Sequence, residues 1–531
     1  MKEVGNAVQR FQVIIVGGGP VGMALAVDLG QRDVSVAVIE RGRDVGLLPK
    51  GQGLTHRTLE HFYYWGCLEE LRNIRLLPDG YPIGGVLAYG SLNTDFWHPY
   101  GAARDQLHRF YFQKNDRVPQ YLTEAVLRRR VAELASVSLL YEHTVTAVSQ
   151  DDNGTRVQIS PPDDPHHSTY LEADFVVGCD GAASTVLAGL GVDRSGTDFD
   201  TRMVLAVFDS EGFHSHTARF GERTTFHAVS PQANGAWHFW GRVEAENSFF
   251  FHAPVPHQTS RMDVDVVHQT MERAAGVSFE ARYRHIGFWS LRTAVAETYR
   301  QGRVFVAGDA AHSHPPYGGF GLNTGLEDVT NLGWKLSAWL EGWGGEKLLD
   351  SYTLERRPVA FSTCEDVIVG SMREERQFCD EHSPKMGTAA FDVAWRRWAE
   401  ESQRPLALEP HYAGSPIVCG SEDCQVGLSA THSMAARAGH HLAPQALSNG
   451  RNVFEELGSG FTLLSVDGSE TDIAEVEEIA RTRRVPLNVI RDSARGGRED
   501  YDSDLVLIRP DQFVAWTHAD APIADLATAV W

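Results

Sequence analysis

The chain has 531 residues, 42% hydrophobic and 22% charged, the composition of an ordinary folded protein that is too long for a single core. A formal net charge of −22 excludes a phosphate backbone as its natural partner, because nucleic-acid binding rests on clustered cations. No apolar run reaches the roughly 18 residues of a membrane-crossing helix. The cysteines (Cys67, Cys179, Cys364, Cys379, Cys419 and Cys424) have no C-x-x-C or zinc-like spacing, so a reduced cytoplasmic protein without a metal site is expected.

The first element, FQVIIVGGGPVGMALAVDLGQRDVSVAVIERG, is an apolar strand, a glycine turn, a helix and a second strand. Of its fingerprint glycines, Gly17 allows the tight turn, Gly19 admits a pyrophosphate against the backbone, and Gly22 lets helix pack on strand. Pro20 and Val21 open the helix, whose free N–H groups attract phosphate. Glu40 closes the second strand at the spacing where a carboxylate meets a ribose hydroxyl. Glycines also open turns that bind nothing, but with strand, helix and acid all in place a dinucleotide site is expected.

Segments near 84–115 and 200–290 alternate apolar and polar residues, as in RMVLAVFDS and GAWHFWGRVE, which predicts a half-exposed antiparallel sheet. Its side chains, among them His227, His238, Phe239 and Trp289, could wall a flat aromatic molecule or simply form sheet core. Two further apolar strands end alike, ADFVVGCDG at Asp180 and GRVFVAGDAAH at Asp309. A carboxylate there can bind a polyol such as a ribityl chain, and it can equally cap the next helix. The stretch GDAAHSHPPYGGFGLNTG (308–325) then sets a proline pair among glycines, as backbone does where a Cβ would collide with a flat ring. Helical spacing follows from 326, a Pro- and Gly-bearing connection lies near 402–428, and a small α/β unit ends the chain. In that unit FTLLSV, PLNVIR and DLVLIRPDQFVAWT read as strands and DIAEVEEIARTRR as a helix. It has no cysteine, so dithiol chemistry is excluded there.

The three motifs, in this order, resemble those of the single-component FAD-dependent aromatic hydroxylases, the group that includes p-hydroxybenzoate hydroxylase. Length and C-terminal layout resemble phenol hydroxylase and 3-(3-hydroxyphenyl)propionate hydroxylase, and the resemblance covers nearly the whole chain. It implies an α/β protein with a Rossmann-like FAD-binding domain over 1–83, 116–199 and 291–400. An inserted antiparallel-sheet substrate domain would occupy 84–115 and 200–290, followed by a linker at 401–428 and a thioredoxin-like domain over 429–531. The resemblance further implies that Asp309 binds the ribityl chain, Glu40 the adenosine ribose, and Gln120 the FAD. Asp180 would lie near both FAD and nicotinamide cofactor, with Arg41, Lys50 and Gln52 completing the FAD set. Pro316, Gly319 and the backbone N–H groups of Gly321, Leu322 and Asn323 would border the flavin ring. Pro316 and Tyr317, with Phe239 and Trp289, would face substrate, and Arg292 would meet NADH or NADPH.

The chain also departs from the family. Leu187 replaces the arginine after the DG motif, Lys50 the arginine of P-R-A, and Phe320 the glutamine of G-G-Q-G, while Gln52 falls where phenol hydroxylase has its active-site aspartate. The implied reaction is hydroxylation of a phenolic or related ring by NAD(P)H and O2 through a flavin C4a-hydroperoxide, within aromatic catabolism. His56, Tyr317, His227 and His238 are the candidates for the base that takes a phenol proton, and the sequence does not choose among them. A homodimer built on the helices after 325 is a further expectation. The alternative readings are a halogenase or reductase of the same fold, and an FAD-binding protein without catalysis.

Overall fold

The computed structural model describes residues 8–101, 106–164, 167–403, 408–421, 423–429 and 431–526. Strand β1 (Gln9–Val16) is apolar and buried through its second half, as a strand must be when both faces of its sheet are covered. Helix α1 (Pro20–Gly30) turns back over it, and β2 (Val36–Glu40) pairs with it in parallel. Helix α2 (His56–Tyr64) follows, capped by the Thr55 side chain. Strand β3 (Val137–Tyr141) adds beside β2, and β4 (Thr169–Gly178) and β5 (Val304–Val306) extend the other edge, all in parallel. The order β5–β4–β1–β2–β3 changes direction between β1 and β4. The crevice beyond the ends of those two strands is therefore the topological switch point, where open α/β sheets hold ligands.

A seven-stranded sheet forms the second layer, in the order 282–292, 198–209, 248–254, 238–242, 225–229, 85–89, 97–100. It is antiparallel but for one pair: Thr225–Val229 runs parallel to Gly85–Tyr89, which corrects the expectation of a wholly antiparallel sheet. These strands lie far apart in sequence, so no hairpin dictates their relative direction. The region 200–290 also contains a helix, Val264–Ala275, that the strand-like alternation did not announce. It covers one face of the sheet, with Phe226, Ala228, Trp240, Phe249 and Phe251 beneath it. The opposite face carries His227, Phe239, Phe250, His252 and Trp289 and turns toward the first layer.

Helices α3 (Phe320–Leu340), α4 (Glu346–Ser362) and α5 (Gly370–Glu381) follow, the last two joined by a π-helical stretch at Thr363–Val369. The 401–428 stretch, expected as a connection, is packed: Glu409–His411 pairs with Gly427–Ser429, and Tyr412, Ile417 and Val418 are buried. The last unit is a four-stranded mixed sheet of β6 (Phe461–Val466), β7 (Leu487–Asp492), β8 (Leu505–Ile508) and β9 (Val514–Thr517), in the order β7–β6–β8–β9. Helix α6 (Glu470–Arg483) connects its parallel pair. The run DLVLIRPDQFVAWT forms two strands rather than one, bent at Arg509–Gln512, where Gln512 takes a φ of +63°.

That bend enters the first layer. Arg509 pairs with Glu355 on α4 (2.6 Å) and with Asp511 (2.6 Å), and Glu355 also accepts from Lys335 Nζ (2.7 Å), Asn331 (2.7 Å) and Ser415 (2.6 Å). Arg57 on α2 reaches Glu60, Glu327 and Gln512, and His441 closes on Glu60 at 2.8 Å. Burial pushes the Lys335 ammonium down to about 8 in spite of Glu355. Burial alone would raise the Glu355 carboxyl, but Arg509 and Lys335 outweigh it and hold the group well below its usual range. Replacing Glu355 with alanine strands the fully buried Lys335 and leaves Arg509 with Asp511 alone. The expected loss is about 3–5 kcal/mol of unfolding free energy, read from the urea midpoint; an unchanged midpoint would mean that these charges do not hold the seam.

Candidate cofactor and substrate site

The glycine turn is set by close approach. A Cβ on Gly17, whose φ is +104°, would stand 2.4 Å from the Cys179 carbonyl oxygen, and one on Gly22 would stand 2.0 Å from the Gly17 carbonyl oxygen. Gly22 thus packs on the turn itself as well as on the strand. Gly19 differs from both: its Cβ would meet nothing within 4 Å, and it caps α1 without a side-chain hydrogen bond. Past Pro20, which has no N–H, the first turn of α1 from Val21 therefore presents unpaired N–H groups to open space, the ordinary geometry of a phosphate site. Glu40 braces this turn, accepting from the N–H groups of Gly18 (2.7 Å) and Gly42 (2.8 Å). Arg128, which the motif reading missed, donates to the Gly18 carbonyl and pairs with Glu124. Its only sequence signal was a run of three arginines on a helix.

The two strand-end aspartates part company. Asp180 accepts from Ser184 Oγ (2.5 Å), Thr185 N (2.7 Å) and Val186 N (3.2 Å), so its carboxylate caps the helix that follows and is spent there. Asp309 is exposed at the end of β5 and takes no hydrogen bond among the described residues. Arg194, also missed, ties the two strand ends together through the carbonyls of Ala182 (2.8 Å) and Ala310 (2.6 Å). Arg292 is exposed and within electrostatic reach of Arg194.

The 315–325 stretch is a loop only as far as Gly319, for Phe320 already begins α3. Gly319, at φ +76°, caps that helix without a side chain, leaving the N–H groups of Gly321 and Leu322 without intrahelical partners. The Asn323 side chain is committed elsewhere. It accepts from Thr55 N and Thr58 Oγ and donates to the carbonyls of Gly53 and Gly319, which clamps α3 to the start of α2. Gln52 is buried, yet neither of its amide atoms has a partner. Gln120 opens its helix beside Gly51, while Lys50 and Arg41 stay exposed. An elongated group bearing phosphates, a polyol and a flat polar ring fits this run of unpaired donors and acceptors.

Across from the loop, Tyr317 meets Trp237 edge-on at 5.4 Å, and Phe239, Trp289, Phe320, Ile368 and Met372 join the same cluster. Phe239, Trp289 and Tyr317 remain only half-buried in it, and Pro316 is exposed. The four candidate bases do not converge. His56 opens α2 and stacks on Tyr111 at 5.4 Å, lining a cavity with Gly318, Phe320 and Asn323 rather than standing on the sheet. His238 alternates with Phe239 and so shares the face of Trp240, under helix Val264–Ala275, on the wrong side of the sheet for substrate. Burial lowers its pKa to about 4. Burial also raises the Tyr317 phenol well above its usual range. His227 alone among the histidines proposed lies on the facing side, 3.3 Å from Glu375. His252, not anticipated, is also there, and accepts from Trp289 Nε1 at 3.3 Å.

Residues 10–366 match the family model described as FAD binding domain, and residues 435–531 match that of the aromatic-ring hydroxylase C-terminal domain. Rifampicin monooxygenase of Streptomyces venezuelae is 30% identical, over 96% of each chain. The 4-methyl-5-nitrocatechol 5-monooxygenase of a Burkholderia species is 27% identical over 96% of this chain and 94% of its own. Among solved structures, the rebeccamycin biosynthetic enzyme RebC with reduced flavin superposes with a TM-score of 0.82 at 26% identity, covering 99% of both chains. Among the described residues no helix is long and apolar enough to cross a membrane.

Two variants separate binding from folding at the glycine turn. Gly19→Ala, at an ordinary φ of −72°, should leave the melting of the apoprotein unchanged and weaken FAD retention about tenfold, roughly 1.4 kcal/mol. Gly22→Ala should compromise folding itself, as seen in soluble yield and thermal melting. On the sheet, the indole donor requires a lone pair on His252 Nδ1, and burial holds that imidazole at about 4, below its unfolded value of 6.5. The unfolded chain therefore takes up the proton first. The contribution is complete above pH 6.5 and is lost as the pH falls toward 4, by up to about 3 kcal/mol. Urea unfolding at pH 7 and pH 4.5 should show a smaller acid loss in His252→Gln than in the parent.

Proposed function

The chain belongs to the family of the FAD binding domain and also carries an aromatic-ring hydroxylase C-terminal domain, and from that premise we propose that it hydroxylates a phenolic or related aromatic ring. It is an FAD-dependent monooxygenase; the phenolic substrate and NAD(P)H as reductant are the inferred parts. Bound FAD would supply the redox chemistry, accepting hydride and activating O2. The chain supplies the rest. The α1 N-terminus would hold the pyrophosphate, Glu40 the adenosine ribose, and Asp309 the ribityl hydroxyls. Gln52 and the N–H groups of Gly321 and Leu322 would take the polar edge of the ring, with Gln120 and Lys50 nearby. Asp180 would act through the helix it caps. Arg292, within electrostatic reach of Arg194, would meet the phosphates of a transiently bound NAD(P)H.

The observation that carries the reading is the pairing of two surfaces. A glycine-capped helix start with free N–H groups lies next to a loop whose Tyr317 packs against an aromatic sheet face. Phe239, Trp237 and Trp289 would sandwich a flat substrate and exclude water from it. Pro316 and Tyr317 would separate that substrate from the ring edge. The free cysteines among the described residues fit a reducing compartment, consistent with a cytoplasmic enzyme.

The test is a screen of phenols for stimulated NAD(P)H oxidation by FAD-loaded protein, with product mass followed under ¹⁸O2. The expected outcome is one product oxygen carrying the label and oxidation that accelerates with substrate. A product without label would rule out monooxygenation, and a protein that consumes no NAD(P)H with any phenol would point to a binding role only.

A further inference from the structure

Of the histidines facing the substrate side, His252 is locked as an acceptor by Trp289, which leaves His227. His227 and Glu375 are 8% and 5% exposed and stand 3.3 Å apart, Nε2 to Oε2, without forming an aligned hydrogen bond. His227 Nε2 and Glu375 Oε1 are both buried with no hydrogen-bond partner. Unspent bonding capacity on two ionisable groups is costly inside a protein and asks for a use. The pair also borders the aromatic cluster. The His227 ring lies 6.4 Å from that of Phe239, and Glu375 follows Met372 by one helical step of three, on the same face of α5. The charge of Glu375 acts on Tyr317, whose hydroxyl meets Ser371.

We propose that His227 takes the hydroxyl proton of the phenolic substrate, and that Glu375 is the positioning residue that orients the ring and stabilises the imidazolium. The inference rests on the phenolic reading of the substrate. With a small shift that aligns the 3.3 Å contact, Glu375 would accept from Nε2–H, leaving the lone pair on Nδ1. The phenol O–H bond breaks, an Nδ1–H bond forms, and the electron pair stays on the phenol oxygen, where it enriches the ring carbons toward an electrophilic oxygen. The product pair, imidazolium and phenolate, is balanced by the Glu375 carboxylate. Other titratable groups surround the pair: Tyr317 on the loop, Tyr89 and Tyr100 on the last two strands of the sheet, His238 on the neighbouring strand, and Glu374, Arg376 and Cys379 on α5.

The probe is 4-nitrophenol, whose ionised form is yellow, titrated into the FAD-loaded protein without NAD(P)H and read by difference spectra from pH 5 to 9. The parent should ionise the bound phenol at a pH at least one unit below that of the free compound, a tenfold shift. His227→Gln should abolish that shift, Glu375→Gln should reduce it severalfold, and Glu375→Asp should restore part of it. In turnover, the pH profile of hydroxylation should move with the same variants. An undiminished shift in His227→Gln overturns the proposal. If that variant loses its flavin spectrum, an undiminished shift in Glu375→Gln overturns it equally. Failure of the parent to bind any phenol strikes the substrate reading instead, whereas phenols that bind and are hydroxylated without ionising strike the His227 assignment alone.

Discussion

The structure hangs on the buried carboxylates of α3. Asp328 accepts from Gly308 N (3.0 Å), His312 Nε2 (2.6 Å) and Arg356 Nε (2.8 Å), and its neighbour Glu327 takes Arg57 and His61. One helix turn thereby fixes the residue before Asp309, the entry to the Pro315–Gly319 loop, and the start of α2. Buried ion pairs of this kind contribute modestly to net stability, because desolvation offsets their attraction, but they tolerate little misplacement. Geometry at the helix start is therefore inherited from charges one to two turns downstream. The site stands where it does because α3 cannot slide.

Close backbone approach sets the other end. Val21 packs against Gly308 and Gly325, where a Cβ would stand 3.0 Å and 2.7 Å from its methyl group. The N-terminus of α1, the end of β5 and the first turns of α3 thus meet in one place, each with unpaired polar groups turned to the same crevice. The second layer contributes by dividing its faces. The side under helix Val264–Ala275 is closed aromatic core, and the side toward the loop keeps half-buried rings. Binding surface arises where the helical cover, here α5 with Met372 and Glu375, leaves rings only half-buried.

The parts legible in the sequence were those governed by local rules. The glycine fingerprint, the terminal Glu40 and the glycine-bracketed helix start at 318–321 each follow from backbone sterics over a few residues. Strand parity in 238–242 was also local, yet it was not applied to His238, which period two assigns to the face of Trp240. The rest depends on residues distant in the chain. Nothing in CDGAAST tells whether Asp180 faces ligand or caps its own helix, and the parallel pairing of 225–229 with 85–89 has no local signature. Glu375 lies almost 150 residues beyond His227, and Arg194 joins two strand ends by their carbonyls, so neither belongs to a motif. Arg509 and Asp511 lie in a run that reads as one strand, and the bend they form interrupts it.

That interruption gives a domain without cysteine a structural role. Its sheet places the Arg509–Gln512 bend against α3 and α4, where Arg57 reaches Gln512 and the Asp511 carbonyl, and Trp334 Nε1 donates to Asp511 at 3.1 Å. A redox domain would keep its functional residues open to a partner, whereas these are wholly buried. The same α3 whose first turn carries the unpaired N–H groups has its middle turns locked by this bend, so the last domain holds the helix that forms the wall of the crevice. The coupling runs through packed charges rather than through any group that reaches the crevice itself.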